Sequence, residues 1–251
     1  MSKLTHKIRA KNQAGKVALV PFLPAGYPDK ERFFQEIEAL DKGGADIIEI
    51  GMPFSDPVAD GPTVERASLA CLERGVNLAW ILEELAQRTY TAGLVLMGYL
   101  NPVYQYGYER YAKDAARAGV SGIIIADLSM EESGPLKQAL GAEGLSLIPL
   151  VGLNTPRERM ERYAEDADAF VYFVSVLGIT GARASLPPEV KEKLTLVREV
   201  FEVPVALGFG LKHPDQLKEL EGLVDAAVFG SALINHIDQG SDCADFMKRW
   251  T

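Results

Sequence analysis

The sequence predicts an α/β protein, a single-domain (β/α)8 TIM barrel, and three observations support this fold. Eight short segments rich in Val, Ile and Leu recur, and each is nearly continuously apolar, as strands are when both faces of a parallel sheet are covered. Amphipathic stretches of helical length alternate with them. The first segment is followed by AGYPDKE, not by the glycine-rich turn of a doubly wound nucleotide-binding sheet. Eight such units in 251 residues favour the barrel.

The eight predicted strands begin near the N-terminus and continue to residue 230. They are Val17–Pro24, Asp46–Gly51, Gly93–Leu100, Gly122–Leu128, Ser146–Gly152, Ala169–Ser175, Pro204–Gly210 and Ala226–Gly230. Ahead of the first strand, Leu4–Asn12 predicts a helix that closes the bottom of the barrel. Because no linker or low-complexity segment interrupts this order, we expect residues 1–251 to form one domain.

Helices are predicted between the strands by apolar residues spaced three and four apart. The clearest are Lys30–Lys42, Glu109–Ala118, Glu131–Ala142, Arg157–Glu165, Glu189–Val200 and Pro214–Leu220. Two connections are unusually long. The one between the second and third strands holds the loop Met52–Gly61 and enough chain for two extra helices, and Val176–Pro187 follows the sixth strand. Loops at the carboxyl ends of barrel strands carry function, so we expect the site there.

Composition argues against several classes of function. The net charge of −9 disfavours nucleic-acid binding through a general basic field. The first residues contain no apolar run typical of a secretory signal, and the longest apolar run, Ala169–Ile179, is shorter than a membrane-spanning helix. We therefore expect a cytoplasmic protein in which Cys71 and Cys243 are reduced and partly buried.

The residue inventory also argues against common metal and nucleophile chemistries. The three histidines, His6, His213 and His236, all lie outside the predicted strands, so we expect no metal site. The sequence lacks a nucleophile elbow of the form G-x-S-x-G, and no lysine lies inside a predicted strand to form a Schiff base.

Three glycine-bearing segments follow the last three predicted strands. They are Gly178–Ala182, Gly208–Gly210 and Gly230–Ala232. Glycine lets backbone N–H groups approach a phosphate closely, and a helix that starts at Ser231 adds a partial positive charge and a hydroxyl donor. Such glycines can also serve only to end strands, but their repetition at this edge of a barrel favours a phosphate site.

Glu49 is the leading candidate for proton transfer. It lies between Ile48 and Ile50 near the end of the second predicted strand, and strand alternation turns its side chain to the opposite face from theirs. Burial among apolar residues would raise its pKa towards neutrality, as a general acid–base requires. The alternative is that Glu49 is the buried partner of a lysine or arginine.

Three aspartates follow at the same edge of the predicted barrel. Asp60 is the second candidate for acid–base chemistry, although it could instead cap the helix that starts at Gly61-Pro62. Asp127, at the end of the fourth predicted strand, is a further candidate whose side chain is expected to point inward. Asp56 is interpreted as a turn residue.

Four aromatic residues lie in or after predicted strands near these groups: Phe22, Tyr99, Tyr172 and Phe209. Each could pack in the core, or they could form an apolar pocket for a planar ring close to the phosphate loops. Tyr172 is the one for which we expect a polar role, because a buried hydroxyl needs a partner.

The segment from Ile48 to Gly61 reads IEIGMPFSDPVADG and resembles the signature of the tryptophan synthase α subunit family. Similar motifs follow one another over essentially the whole chain: Pro21-Phe22, Ala25-Gly26, Asn101-Pro102, Tyr106-Gly107, Ala126-Asp127-Leu128, Gly178–Arg183, Gly208–Gly210 and Gly230–Ala232. The resemblance implies a lyase that cleaves indole-3-glycerol phosphate to indole and glyceraldehyde 3-phosphate, in a retro-aldol reaction without a cofactor.

The resemblance also implies roles for individual residues. Glu49 would be the general acid–base, Asp60 would stabilise positive charge at the indole nitrogen, and Tyr172 matches the active-site tyrosine of the family. Thr180 matches the loop residue that closes onto the catalytic aspartate. The implied substrate-binding positions are Phe22, Thr180, Gly181, Gly210, Gly230 and Ser231, to which the aromatic-pocket interpretation adds Phe209.

The family works as an αββα heterotetramer with a pyridoxal-phosphate β subunit, and the loop around Pro53, Asp56 and Pro57 resembles its contact surface. Val176 and Leu177 stand where the family usually has arginine and a small polar residue. We therefore expect intact chemistry with altered loop ordering and partner coupling. A stand-alone lyase, or a barrel that mainly activates a partner, are the alternatives.

Overall fold

The computed structural model describes residues 1–175, 187–208, 211 and 213–251. Within these residues the chain forms nine strands, and all neighbouring pairs are parallel. They are β1 Ala18–Pro24, β2 Ile47–Gly51, β3 Gly93–Gly98, β4 Val120–Ile125, β5 Ser146–Leu147, β6 Leu150–Gly152, β7 Val171–Val174, β8 Val205–Gly208 and β9 Ala226–Phe229. The order β5-β4-β3-β2-β1-β9-β8-β7-β6 leaves β5 and β6, which are consecutive in sequence, at its two ends. The sheet therefore curls as a barrel requires, and the predicted fold class is confirmed.

The break between β5 and β6 falls inside one predicted strand, Ser146–Gly152. On one side, the Ile148 N–H donates to the Ile123 carbonyl at 2.9 Å. On the other side, the Pro149 carbonyl accepts from the Tyr172 N–H, also at 2.9 Å. Proline has no N–H to donate, so the ladder is interrupted at this residue. The eight-strand prediction holds, with the fifth strand divided into two pieces.

Helices alternate with the strands through the described part of the chain. They are α1 Lys3–Gln13, α2 Lys30–Lys42, α3 Pro62–Glu73, α4 Leu78–Leu85, α5 Leu100–Tyr106, α6 Tyr108–Arg117, α7 Gly134–Ala142, α8 Arg157–Asp166, α9 Pro188–Val200, α10 Gln216–Leu220, α11 Ser231–Asp238 and α12 Cys243–Met247. The two extra helices expected before the third strand are α3 and α4. Of the described helices, none has the length and apolar character needed to cross a membrane.

The helix predicted at the bottom of the barrel is α1, and it closes the amino-terminal end of the strands. Its Leu4 and Ile8 are fully buried in a cluster with inward-pointing residues such as Val20 of β1. Two glycines make room for it. A Cβ on Gly93 would lie 2.6 Å from Leu4, and one on Gly122 would lie 2.8 Å from the same side chain. Larger residues at these strand positions would exclude the helix.

The C-terminal helix α12 is held against α2 by a buried carboxylate. Glu36 accepts hydrogen bonds from the Cys243 N–H at 2.7 Å and from Arg32 Nε at 2.8 Å. Arg32 in turn donates to the Ser241 carbonyl at 2.7 Å. Cys71 and Cys243 are both free and buried, and burial raises the pKa of the Cys71 thiol to about 12. They pack as small apolar side chains.

Candidate active site

A cavity of about 440 Å³ opens at the carboxyl ends of the strands. This volume lies within the range of about 300–1,000 Å³ that is usual for small-molecule sites. Strand ends and the loop before α3 contribute to its lining. The described lining residues are Phe22, Glu49, Ala59, Asp60, Gly61, Val64, Met97, Ala126, Leu150, Val151, Gly152, Tyr172, Val174, Gly208, Val228, Gly230 and Ser231.

Glu49 points into this cavity from β2, as strand alternation predicts. Its exposed fraction is only 1%. Neither carboxylate oxygen has a hydrogen-bond partner among the described residues. Burial, and then the charge of Asp60, raise the pKa of Glu49 from 4.5 to about 8. The carboxyl is therefore largely protonated at neutral pH and able to donate a proton, so the ion-pair alternative is wrong for the described structure.

Asp60 reaches the cavity from the loop between β2 and α3. Burial raises its pKa, and a hydrogen bond from the Tyr99 hydroxyl opposes that rise. The same Tyr99 oxygen accepts from the Ala59 N–H at 3.1 Å. The alternative that Asp60 caps α3 is wrong, because Gly61 occupies the N-cap position and, within the described residues, α3 has no side-chain cap bond. Asp60 is thus free to face the cavity.

Tyr172 enters the cavity from β7, where it pairs with Leu150 and Ala206 in register. Burial, followed by the charges of Glu49 and Asp60, raises its pKa well above the ordinary value. The hydroxyl therefore stays neutral and can act as a donor. A Cβ on Gly208 would lie 2.6 Å from the ring and 2.7 Å from the hydroxyl oxygen of Tyr172. Glycine at the end of β8 is what admits the ring.

Phe22 lies beside Glu49 in the register of β1 and β2. Two glycines flank its ring, because a Cβ on Gly51 or on Gly230 would each come within 2.7 Å of it. Gly230 is the N-cap residue of α11, and Ser231 is the first residue of that helix. The cavity therefore meets the positive end of a helix on one side and an aromatic ring next to it.

The family model for the tryptophan synthase alpha chain matches residues 8–249. The chain belongs to this family. It is 63% identical over 251 residues to the tryptophan synthase alpha chain of Solidesulfovibrio magneticus, covering 99% of this chain and 98% of that one. Identity to the alpha chain of Maridesulfovibrio salexigens is 59%, covering 100% and 99% of the two chains.

Solved structures agree with this membership. The tryptophan synthase of Mycobacterium tuberculosis superposes with a TM-score of 0.89 at 33% identity, covering 99% of this chain and 94% of that one. The tryptophan synthase subunit alpha of Legionella pneumophila has the same TM-score of 0.89 at 30% identity, covering 100% and 98%. Family membership confirms the predicted function, a lyase for indole-3-glycerol phosphate in the α reaction of tryptophan biosynthesis. The two alternatives, a stand-alone lyase and an activating barrel, are not favoured.

In this member of the tryptophan synthase alpha chain family, six of the predicted site residues line one cavity. They are Glu49, Asp60, Tyr172, Phe22, Gly230 and Ser231. The predicted positions Thr180, Gly181, Phe209 and Gly210 lie outside the described residues, and so do Val176 and Leu177.

Asp127 was expected to point inward, and this prediction is wrong. β4 ends at Ile125, two residues before it. The side chain is exposed, and its Oδ1 accepts a hydrogen bond from the Leu100 N–H at 2.8 Å. The error has a simple cause: an apolar run continues past the last residue that pairs in the sheet. Asp56 is exposed and accepts from the Ser55 hydroxyl at 2.5 Å, consistent with a turn.

Sequence reasoning missed part of the cavity wall. Met97, Leu150 and Val228 line it from β3, β6 and β9. Alternation along each predicted strand could have identified them, since Met97 lies two residues after the inward Val95. The link from Tyr99 to the Asp60 loop has no comparable sequence signal, because it joins positions about 40 residues apart.

Proposed function

We propose that this cavity performs the α reaction with Glu49 as the general acid–base and Asp60 as its anionic partner. Glu49 donates its proton to the ring carbon of indole-3-glycerol phosphate that carries the glycerol chain. The resulting positive charge at the ring nitrogen is stabilised by the Asp60 carboxylate. Glu49 then takes the proton of the adjacent glycerol hydroxyl as the carbon–carbon bond breaks, which releases an aldehyde and indole.

The observation that carries this proposal is the contrast between the two acids. Glu49 is buried with no donor to either oxygen among the described residues, which favours its protonated form. Burial raises the pKa of Asp60 as well, but a hydrogen bond from Tyr99 opposes that rise and favours the ionised form of Asp60 relative to that of Glu49. Two carboxyl groups whose environments differ in this way are suited to opposite roles in one reaction.

The phosphate of the substrate would lie at the start of α11. Backbone N–H groups at Gly230 and Ser231, the Ser231 hydroxyl and the helix dipole suit a dianion. The resemblance adds Gly181 and Gly210 to this site. The indole ring would lie against Phe22, Met97 and Leu150, between the phosphate site and the two acids, with the Tyr172 hydroxyl as a further donor.

We further propose a β subunit as the partner, in an αββα complex. The loop before α3 supports this, because Val58 is 83% exposed beside Asp56 and Pro57. This loop is the segment that resembles the contact surface of the family, and the exposure of Asp56 and Val58 leaves it accessible to a partner. We also propose that residues 1–251 act as one domain, since α1 closes the barrel and α12 is bonded to α2 through Glu36.

The test measures indole released from indole-3-glycerol phosphate by the purified chain, alone and with a tryptophan synthase β subunit. Glu49→Gln should lower kcat by roughly a thousandfold, because the amide has the same shape but no acidic proton to transfer. Asp127→Asn is the matched control, since this exposed carboxylate lies outside the cavity lining. Activity of Glu49→Gln within tenfold of the parent would remove Glu49 from the proposed role. Failure to co-elute with the β subunit would contradict the proposed partner.

A further inference from the structure

Three side chains from separate elements meet away from the cavity lining. The Tyr27 hydroxyl, in the loop after β1, donates to Asp238 Oδ1. Arg66 Nη2 lies 2.5 Å from Asp238 Oδ2, and Arg66 Nη1 lies 3.4 Å from the Tyr27 hydroxyl oxygen. Tyr27 is buried, whereas the two charged side chains are partly exposed. We refer to these three residues as the Tyr27–Arg66–Asp238 cluster.

The two charged residues of the cluster belong to helices that both begin at the cavity. α3 starts two residues after Asp60, and Arg66 lies in its second turn. α11 starts at Ser231, and Asp238 is its last residue. The two helices pack against each other. The cluster therefore joins the helix that follows one acid to the helix that begins at the phosphate site.

Asp238 occupies a position that local rules disfavour. The carboxyl-terminal end of a helix carries partial negative charge, and a carboxylate there is destabilising unless it is compensated. The guanidinium of Arg66 and the hydroxyl of Tyr27 supply that compensation. A residue that conflicts with its own helix is explained by the tertiary contact that it makes.

The cavity ends of both helices depend on such packing for their placement. Gly61 caps α3 and Gly230 caps α11, and within the described residues neither glycine cap is joined by a side-chain cap bond. Ser55, Asp56, Val58 and Ala59, in the loop before α3, are exposed. Tyr99 contacts this loop through Ala59 and Phe54, and the Asp60 N–H donates to the Pro57 carbonyl at 3.3 Å. Because Asp60 lies only two residues before α3, a displacement of α3 also displaces Asp60.

We propose that Tyr27, Arg66 and Asp238 are positioning residues for the α reaction. By holding α3 against α11 they set the separation between Asp60 and the start of α11. A substrate with its indole ring at Asp60 and its phosphate at Ser231 spans these two points. The inference rests on the proposed function, because that function assigns the two ends of the substrate. Small displacements of a reacting group lower rates strongly without removing binding.

The test compares Tyr27→Phe and Asp238→Asn with the parent, each assayed with its β subunit. Both substitutions preserve shape and remove the hydroxyl or the charge. We expect kcat for indole release to fall about fivefold in each, with the inhibition constant of inorganic phosphate within twofold of the parent. The double variant should lose little more than the larger single loss, because both changes break one network. Thermal unfolding midpoints show whether the variants remain folded at the assay temperature.

Asp166→Asn is the matched control. Asp166 also ends a helix, α8, and pairs with Lys137 of the neighbouring helix α7 at 2.5 Å. Its kcat should stay within twofold of the parent. Unchanged kcat in both cluster variants, an equal loss in Asp166→Asn, or weakened phosphate binding would overturn the inference. If Glu49→Gln is inactive while the cluster variants are fully active, only the positioning role fails. If Glu49→Gln is active, the proposed function itself fails.

Discussion

The two ends of the barrel interior are equally buried and chemically opposite. At the bottom, Leu4 of α1 is 0% exposed and packs against strand glycines. At the top, Glu49 is 1% exposed and has no hydrogen-bond partner among the described residues. Burying leucine stabilises the fold by roughly 1.5–3 kcal/mol, whereas burying an unpartnered carboxyl destabilises it.

This difference separates stability from chemistry along one barrel axis. At the bottom, apolar side chains are in contact with one another, so this end contributes most to the stability of the fold when packing is dense. The top keeps a titratable group dry, so its pKa moves into the range where proton transfer is useful. The comparison can be tested by changing one end at a time and asking whether stability or activity responds.

The largest expected effect on stability concerns the pH dependence at the top. Glu49 has a pKa of about 8 in the fold against an ordinary value of 4.5. Below pH 4.5 both folded and unfolded chains hold the proton. Between pH 4.5 and about pH 8, Glu49 is protonated in the folded chain and ionised in the unfolded chain. The free energy of unfolding therefore falls as pH rises, by up to roughly 1.4 kcal/mol per pH unit.

Urea unfolding of the parent and of Glu49→Gln at a series of pH values measures this effect. The Gln variant should gain stability relative to the parent as pH rises from about 4.5 to about 8, and the difference should be constant outside that window. A difference that does not change with pH inside the window would show that Glu49 is not held in its protonated form.

The next largest effect belongs to the bottom. Leu4→Ala should lower the free energy of unfolding by about 2–5 kcal/mol, because it leaves a cavity between α1 and the strand glycines. The kcat for indole release should not change in the folded fraction. His6→Ala, an exposed position on the same helix, is the control and should stay within about 0.5 kcal/mol. A loss of kcat in Leu4→Ala would show that the two ends are coupled.

The smallest change in free energy should come from a substitution that narrows the space around Tyr172 at the top of the barrel. Gly208→Ala places a methyl group 2.6 Å from the Tyr172 ring, so the ring must move. We expect kcat/KM to fall about tenfold to a hundredfold, equivalent to about 1.4–2.8 kcal/mol. Gly141→Ala in α7 is the control, because its Cβ would meet nothing within 4 Å. Equal activity in both variants would show that the Tyr172 position does not matter for turnover.

Much of the fold was predictable because it depends on local patterns. Near-continuous apolar runs identified the strands. The predicted helix Lys30–Lys42 has the same bounds as α2, whose amino-terminal end is capped by the Asp29 side chain, which accepts from two backbone N–H groups. The ends of strands were less predictable. Apolar residues continue beyond Ile125, so hydrophobicity alone placed Asp127 inside the barrel when pairing had already stopped.

The candidate site also combines features that local patterns predict with contacts that they do not predict. Glu49 was found by alternation, which is a property of a single strand. The Tyr99 link to the Asp60 loop was not found, because it depends on where a long connection crosses a neighbouring strand end. The resemblance to a known family supplied the role of Asp60, which local rules left divided between a cap and a catalytic acid.

The sequence by itself determined the order of strands and helices, the inward face of β2 and the glycines at the strand ends. These follow from residue periodicity and backbone freedom, which act over a few neighbours. Tertiary structure alone decided that Glu49 lacks a partner among the described residues, that Gly208 admits Tyr172, and that Asp238 meets Arg66 and Tyr27. Solvation and contact between distant segments exist only once the barrel closes.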